Sequence, residues 1–330
     1  MKTMTNGQVA NSSFWQKVRV FVKSNVSILL IYGLILVVGI GTAVLSENFR
    51  QFSNLVSLFR QSIVLGLLSI GQSMVVLTGG MDMSVAMTAR IVNLVVATFF
   101  NANSTDALIL PMLLLGGVIG AIIGAFNGFL VTRTHANPFI ITFGVASVLR
   151  GIGLAISNVP IRGVPSGYLK IYDARVAGIP VNVIVMLLIW LSAYIFTTRT
   201  RPGRALFAVG GSEHVARFSA IRVNKTLITA YVISGVFAAL GGMFLLARSG
   251  VGDPSAAEGL DFQSVVAVAM GGISLYGGKG SIFGALGGVI LLGLLSNVFN
   301  ILQIDVYYQQ LLLGLIVLVA VAAYRSPRSL

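Results

Sequence analysis

The chain has 330 residues, of which 56% are hydrophobic and only 9% charged, with a mean hydropathy of +0.93. A soluble domain of that composition would expose large apolar patches, so the class is a polytopic membrane protein. Cysteine is absent, which removes disulfides and thiolate metal sites, and the formal charge of +13 is spread over short loops, which argues for membrane topology and against a nucleic-acid partner.

Residues 1–25 are polar, with Lys17, Arg19 and Lys23 ahead of an apolar run from Val26 to Leu45. A signal peptide would have a shorter apolar region and a small-residue cleavage site, whereas this run is long enough to span, so it reads as a retained first helix. Later apolar blocks are near 20 residues long and lack the alternation of barrel strands, so helices are the expected spanning element. Taken in order they predict about ten spans: 26–45, 61–78, 83–100, 107–131, 138–156, 180–197, 227–247, 263–275, 282–302 and 309–323. The third and eighth are short. The fold class is therefore an all-α polytopic integral membrane protein with some spans broken or short. Residues 26–323 form one transmembrane domain, and residues 324–330 a tail.

An even number of spans puts both termini on one side. With that side cytoplasmic, the inner segments hold Lys2, Lys17, Arg19, Lys23, Arg133, Lys279, Arg325, Arg328 and the cations of the interval 198–226, which are Arg199, Arg201, Arg204, Arg217, Arg222 and Lys225. The outer segments hold fewer cations, and the bias fixes both termini inside by the positive-inside rule. Glu47, Asp106, Asp173, Asp253, Glu258, Asp261 and Asp305 fall outside, where acids can meet a basic partner.

The fourth block carries Gly116, Gly120, Gly124 and Gly128, one every fourth residue. This row gives a flat helix face that another backbone can approach. Asn103-Ser104-Thr105 matches a glycosylation sequon that carries no weight here. Two Gly-Gly interruptions, Leu77 to Val85 (LTGGMDMSV) and Gly271 to Ser281 (GGISLYGGKGS), break apolar blocks. Broken helices persist at membrane depth only where protein buries them or a cavity wets them.

Gly278-Lys279 does not complete a phosphate loop: Ile273 stands where the first glycine should be and Gly280 where the Ser or Thr should be. His135 and His214 lack metal spacing, and no nucleophile elbow is present, so neither a metal site nor a catalytic set is expected. The ionisable residues within spans are Asp82 at the first break, Arg90 and Arg150. A charge at a helix centre costs about 2.5 to 3.5 kcal/mol on insertion scales, so Arg90 should face protein or water. Asp82 and Arg90 are about 12 Å apart along a straight helix. Two roles stand for them: an ion pair or carbonyl contact that pins the break, or a substrate contact. The translocation-path candidates are Gln72, Gly79, Gly80, Asp82, Ser84, Arg90, Asn93, Asn127 and Arg150. Their amides could bond hydroxyls of a polar solute or join helices.

In the basic interval, Ser212 can cap a short helix starting at Glu213, whose acid suits the positive helix end. Val215, Phe218 and Ile221 recur at i, i+3 and i+6, while Arg217 and Arg222 stay polar. Such a helix either lies on anionic lipid or docks into a partner's groove.

LTGGMDMSV at 77–85, NPFIITFGVASVLRG at 137–151, TRPGRALFAVGGSEHVARFSAI at 200–221 and GGISLYGGKGSIFGALGG at 271–288 together resemble the permease subunits of bacterial ABC importers for ribose and related monosaccharides, the ribose, galactose, xylose and autoinducer-2 type. The likeness runs from about residue 60 onward. It implies a multi-pass permease of the bacterial inner membrane, paired with a second copy or a paralogue, with cytoplasmic ABC ATPases and with a periplasmic sugar-binding protein. ATP and magnesium would then act in the ATPase chains, with no cofactor in this one. The family's coupling segment falls on Gly203 to Ile221, which makes Gly203, Arg204, Gly210, Gly211, Glu213, Val215, Arg217, Phe218 and Ile221 the expected ATPase contacts. The chain departs from the family at Met83 to Ala86, at Ser212 where asparagine is frequent, and at Ala220 where glycine is frequent. Two other classes compete with a sugar importer. One is a permease for branched-chain amino acids, whose zwitterions could use Arg90 and Arg150. The other is an ion-coupled secondary transporter, which would call for a fuller carboxylate site than Asp82 alone.

Overall fold

In the computed structural model, residue 22 and residues 26–100, 105–134, 136–305, 307–312 and 314–315 are described. The order is α1 (Val26–Leu45), α2 (Glu47–Arg50), α3 (Phe52–Leu77), α4 (Val85–Phe99), a 3-10 turn (Asp106–Leu108), α5 (Ile109–Thr134), α6 (Pro138–Ile156) and α7 (Ser166–Asp173). There follow the hairpin strands β1 (Arg175–Val176) and β2 (Ile179–Pro180), then α8 (Val181–Arg199), α9 (Arg201–Gly211), α10 (Glu213–Phe218), α11 (Val223–Ser249), α12 (Leu260–Met270) and α13 (Ile282–Ile301).

Seven helices among the described residues are long and apolar enough to cross a membrane: α1, α3, α5 with its preceding turn, α6, α8, α11 and α13. The expected third and eighth spans are the short helices α4, of 15 residues, and α12, of 11. At 1.5 Å per residue these reach about 22 and 16 Å, less than a hydrocarbon core of roughly 30 Å. Neither is a full span, and each lies next to a Gly-Gly break. The tenth block falls largely outside the described residues, as do residues 1–21, 23–25, 101–104, His135 and the tail. Among the described residues, nine of the ten expected spans therefore fall on seven full-length helices and two shorter apolar ones.

Helices α3 and α11 form the centre. Leu67, Leu68, Ile70, Val75, Val76 and Leu77 of α3, with Ala230, Tyr231, Ala238 and Ala239 of α11, are fully buried. α4 is buried around almost its whole circumference, while α1 and α6 present apolar side chains outward. The α5 glycine row packs on α11 as its spacing suggests: a methyl group at Gly120 would overlap Gly235 and Ala239, and one at Gly124 would overlap the Tyr231 carbonyl. Apolar side chains gain little from helix association in lipid, so such backbone approach supplies the contact.

The interhelix segments sort to two ends of the bundle. At one end, residues of the first break, the end of α5, the start of α6 and α10 line one cavity, and the second break meets the first. At the other, Ile161 pairs with Gly252, Arg60 with Asp173 at 2.7 Å and Arg150 with Glu258 at 2.7 Å.

Candidate functional site

The first break begins where α3 unwinds. Thr78 Oγ1 donates back to the Val75 carbonyl at 2.7 Å, and Gly79 takes φ +85°. Asp82 then sits at the foot of α4, where helix N–H groups favour a carboxylate. It is 1% exposed. Its Oδ1 accepts from the Ser84 amide at 3.0 Å and the Ser84 hydroxyl at 2.6 Å, and its Oδ2 accepts from the Ser234 hydroxyl at 2.8 Å. Asn127 Nδ2 donates to Ser84 Oγ at 2.7 Å. Thr142 Oγ1 accepts from the Met83 amide at 3.0 Å, and the Tyr231 hydroxyl reaches the Met81 carbonyl at 3.4 Å. Side chains from α5, α6 and α11 therefore hold this turn in place.

Arg90 does not belong to that network. Its Nε donates to the Ala256 carbonyl at 3.2 Å, and its guanidinium lies 3.8 Å from Glu258, which also takes Arg150. The expected pinning by a carbonyl contact or an ion pair is present, but it pins the α11–α12 segment and not the Asp82 turn. Asn93 acts on the same segment: its Oδ1 accepts from the Asp253 amide at 2.9 Å, while its Nδ2 donates to the Gly242 carbonyl at 3.3 Å. The nine path candidates thus divide. Gly79, Gly80, Asp82, Ser84 and Asn127 gather at one break; Arg90, Asn93 and Arg150 gather at the opposite end. Gln72 stands apart, fully buried on α3, with neither amide atom bonded to a partner among the described residues.

In the basic interval, Ser212 Oγ accepts from the Val215 amide at 3.3 Å and starts α10 at Glu213, as the capping pattern suggests. Arg217 and Glu213 pair at 3.5 Å across one turn. The proposed apolar face is corrected at one member. α10 ends at Phe218, so Ile221 lies beyond it and packs on Val209, Ala216, Val223 and Leu227. Val215 and Phe218 are 61% and 81% exposed. Ala220 follows the helix in the left-handed region at φ +58°, a position that a glycine would occupy without strain.

The preceding helix, α9, is absent from the sequence reading. Its start was legible: Thr200 Oγ1 accepts from the Gly203 amide at 3.1 Å, and Pro202 sits in the first turn, a cap-and-proline start. Three glycines and two arginines among its eleven residues hid it. Arg204 donates to the Arg199 carbonyl at 3.0 Å, and Gly203 lies directly against the end of α8.

A polar cavity of about 510 Å³ opens between the first break and α10, lined by Gly79, Gly80, Arg133, Glu213, Arg217 and Tyr231 among others. Its two arginines and single acid make it electropositive. Among the described residues, no three His, Asp or Glu side chains are gathered as a metal would need.

The family model described as the branched-chain amino acid transport system / permease component matches residues 54–321. The chain is 35% identical to the D-allose transport system permease protein of Escherichia coli K12, over 94% of this chain and 92% of that one. It is 34% identical to the ribose import permease protein of Bacillus subtilis, over 86% and 88% of the two chains. With the fructose import permease protein of Rhizobium meliloti, identity is 30% over 93% and 87%. No solved structure matches.

Proposed function

We propose, for a chain that belongs to the branched-chain amino acid transport system / permease component family, that it is the membrane subunit of an ABC importer and carries a monosaccharide or a similar small polyhydroxylated solute. The family's description names amino acids, but the relatives similar over most of their length are permeases for allose, ribose and fructose. That agreement supports the sugar. The chain works as a multi-pass protein of the bacterial inner membrane, with both termini and the interval 198–226 cytoplasmic. Its partners are a second permease copy or paralogue, a cytoplasmic ATPase that uses ATP and magnesium, and a periplasmic sugar-binding protein.

One observation carries the reading: α10 projects Val215 and Phe218 into solvent at the end of the bundle where the first Gly-Gly break opens into a cavity. A capped short helix with an exposed aromatic suits insertion into a partner's groove. Glu213 and Arg217, paired along its polar side, set its register there. The two Gly-Gly breaks are the moving parts of the path, and Asp82 fixes the turn of the first. The α11–α12 segment held by Arg90, Asn93 and Arg150 closes the opposite end, where the binding protein docks and delivers the sugar.

Reconstitution with the ATPase and binding protein in vesicles tests this. Uptake of labelled ribose, allose or fructose should require ATP and the binding protein. Uptake driven by an ion gradient without any ATPase would sink it, and a binding protein selective for leucine would move the substrate to amino acids.

A further inference from the structure

Both helix breaks meet one helix, α9, through bare backbone. The Gly278 amide, in the second break, donates to the Leu77 carbonyl that ends α3, at 3.0 Å. Gly277 and Gly278 take φ +84° and +71°, a region open to glycine at little cost. A methyl group at Gly277 would lie 2.6 Å from the Gly79 amide nitrogen and 3.0 Å from Gly210 Cα. At Gly278 it would lie 2.7 Å from Gly211 Cα, and at Gly210 it would lie 2.6 Å from the Gly278 nitrogen and overlap the Leu77 carbonyl. No side chain stands between the three segments at these points.

We infer that Gly210 is a positioning residue that clamps α9 to both breaks, so that a displacement of the α9–α10 unit moves the two breaks together. The inference rests on the importer reading. Side chains at a contact can change rotamer and absorb a shift; backbone packed on backbone has no such freedom and passes the shift on. The other faces of α9 complete the relay. Leu206, 2% exposed, packs in the cluster that holds Leu77 and Ile273. Val209, 1% exposed, packs with Ala216 of α10 and with Val223 and Leu227 of α11. α9 therefore lies between the exposed α10 surface and the turn that carries Asp82.

A glycine outside the interval 198–226 supplies the control, because a methyl group at Gly117 of α5 meets nothing within 4 Å. In the full transporter, uptake by Gly210→Ala, and the stimulation of hydrolysis by loaded binding protein, should fall roughly tenfold or more, the scale that overpacking a close contact produces, while Gly117→Ala stays near wild type. Equal uptake by both variants would overturn the clamp. A second measurement does not need Gly210 changed: since the chain has no cysteine, spin labels at Gly211→Cys and Tyr276→Cys report the clamp alone. Their separation should stay constant between nucleotide-free and ATP-bound states, whereas Gly211→Cys with Thr132→Cys, on the cavity wall, should change. A shift in the first pair, or no shift in the second, would refute concerted movement. Absence of ATP-dependent uptake by the wild-type assembly would instead remove the importer reading, and this inference with it.

Discussion

The Ser234 hydroxyl donates to Asp82 Oδ2 at 2.8 Å across 152 residues of chain, which ties the middle of α11 to the turn that breaks the α3–α4 span. The carboxylate holds three donors in a buried place, so the shape of its substitute decides the outcome. Asp82→Asn keeps one oxygen for Ser84, and the Ser234 hydroxyl can rotate to accept from the new amide. Asp82→Ala strands the donors, at about 1–3 kcal/mol for an unsatisfied buried group. Thermal unfolding in detergent should rank wild type above Asn and Asn above Ala; an Ala variant as stable as wild type would deny the carboxylate its anchoring role.

Arg90 and Arg150 share Glu258 but differ in burial. The Arg90 side chain is 4% exposed and that of Arg150 is 55% exposed. An exposed pair is worth under about 1 kcal/mol, whereas removing Arg90 also frees the Ala256 carbonyl inside the protein. Arg90→Gln should therefore make the α11–α12 segment open to protease in the detergent-solubilised protein, and Arg150→Gln should leave it resistant. Equal cleavage of the two variants would contradict this ranking.

Phe218 and Ile221 are three residues apart but meet different surroundings. Phe218→Asp should insert, fold and melt as wild type yet lose the ATPase on co-purification, with Arg217→Glu weakening the complex in the same direction. Ile221→Asp should instead lower the melting temperature, because a charge enters the cluster around Val209 and Leu227. Normal substrate-stimulated hydrolysis in both Phe218→Asp and Arg217→Glu would end the docking role of α10.

Gly124 and Gly117 lie on the same helix with opposite environments. A methyl group at Gly124 overlaps the Tyr231 backbone, and at Gly117 it meets nothing within 4 Å. Gly124→Ala should destabilise by about 1–3 kcal/mol, the range for overpacking. Gly117→Ala should be neutral or stabilise by about 0.4–1 kcal/mol through the unfolded chain. Fluorescence-monitored melting of the two variants checks the sign of each.

The sequence by itself determined the membrane class, the α1 and α6 bounds, the small-residue face of α5, the two Gly-Gly breaks and the Ser212 cap. These follow from local quantities: apolar run length, a four-residue period, and glycine or hydroxyl residues where a helix stops or starts. It left α4 and α12 counted as spans because an apolar run does not say whether lipid or protein surrounds it. It also left open what Asp82 and Arg90, eight residues on, contact, and extended the α10 face to Ile221. Only the tertiary structure decided that Asp82 answers to Ser234, that Arg90 and Asn93 hold a segment some 160 residues away, and that Gly79, Gly210 and Gly277 converge. Such pairings depend on which helices lie side by side, and hydrophobic patterning fixes the face a helix buries without naming the neighbour it buries against.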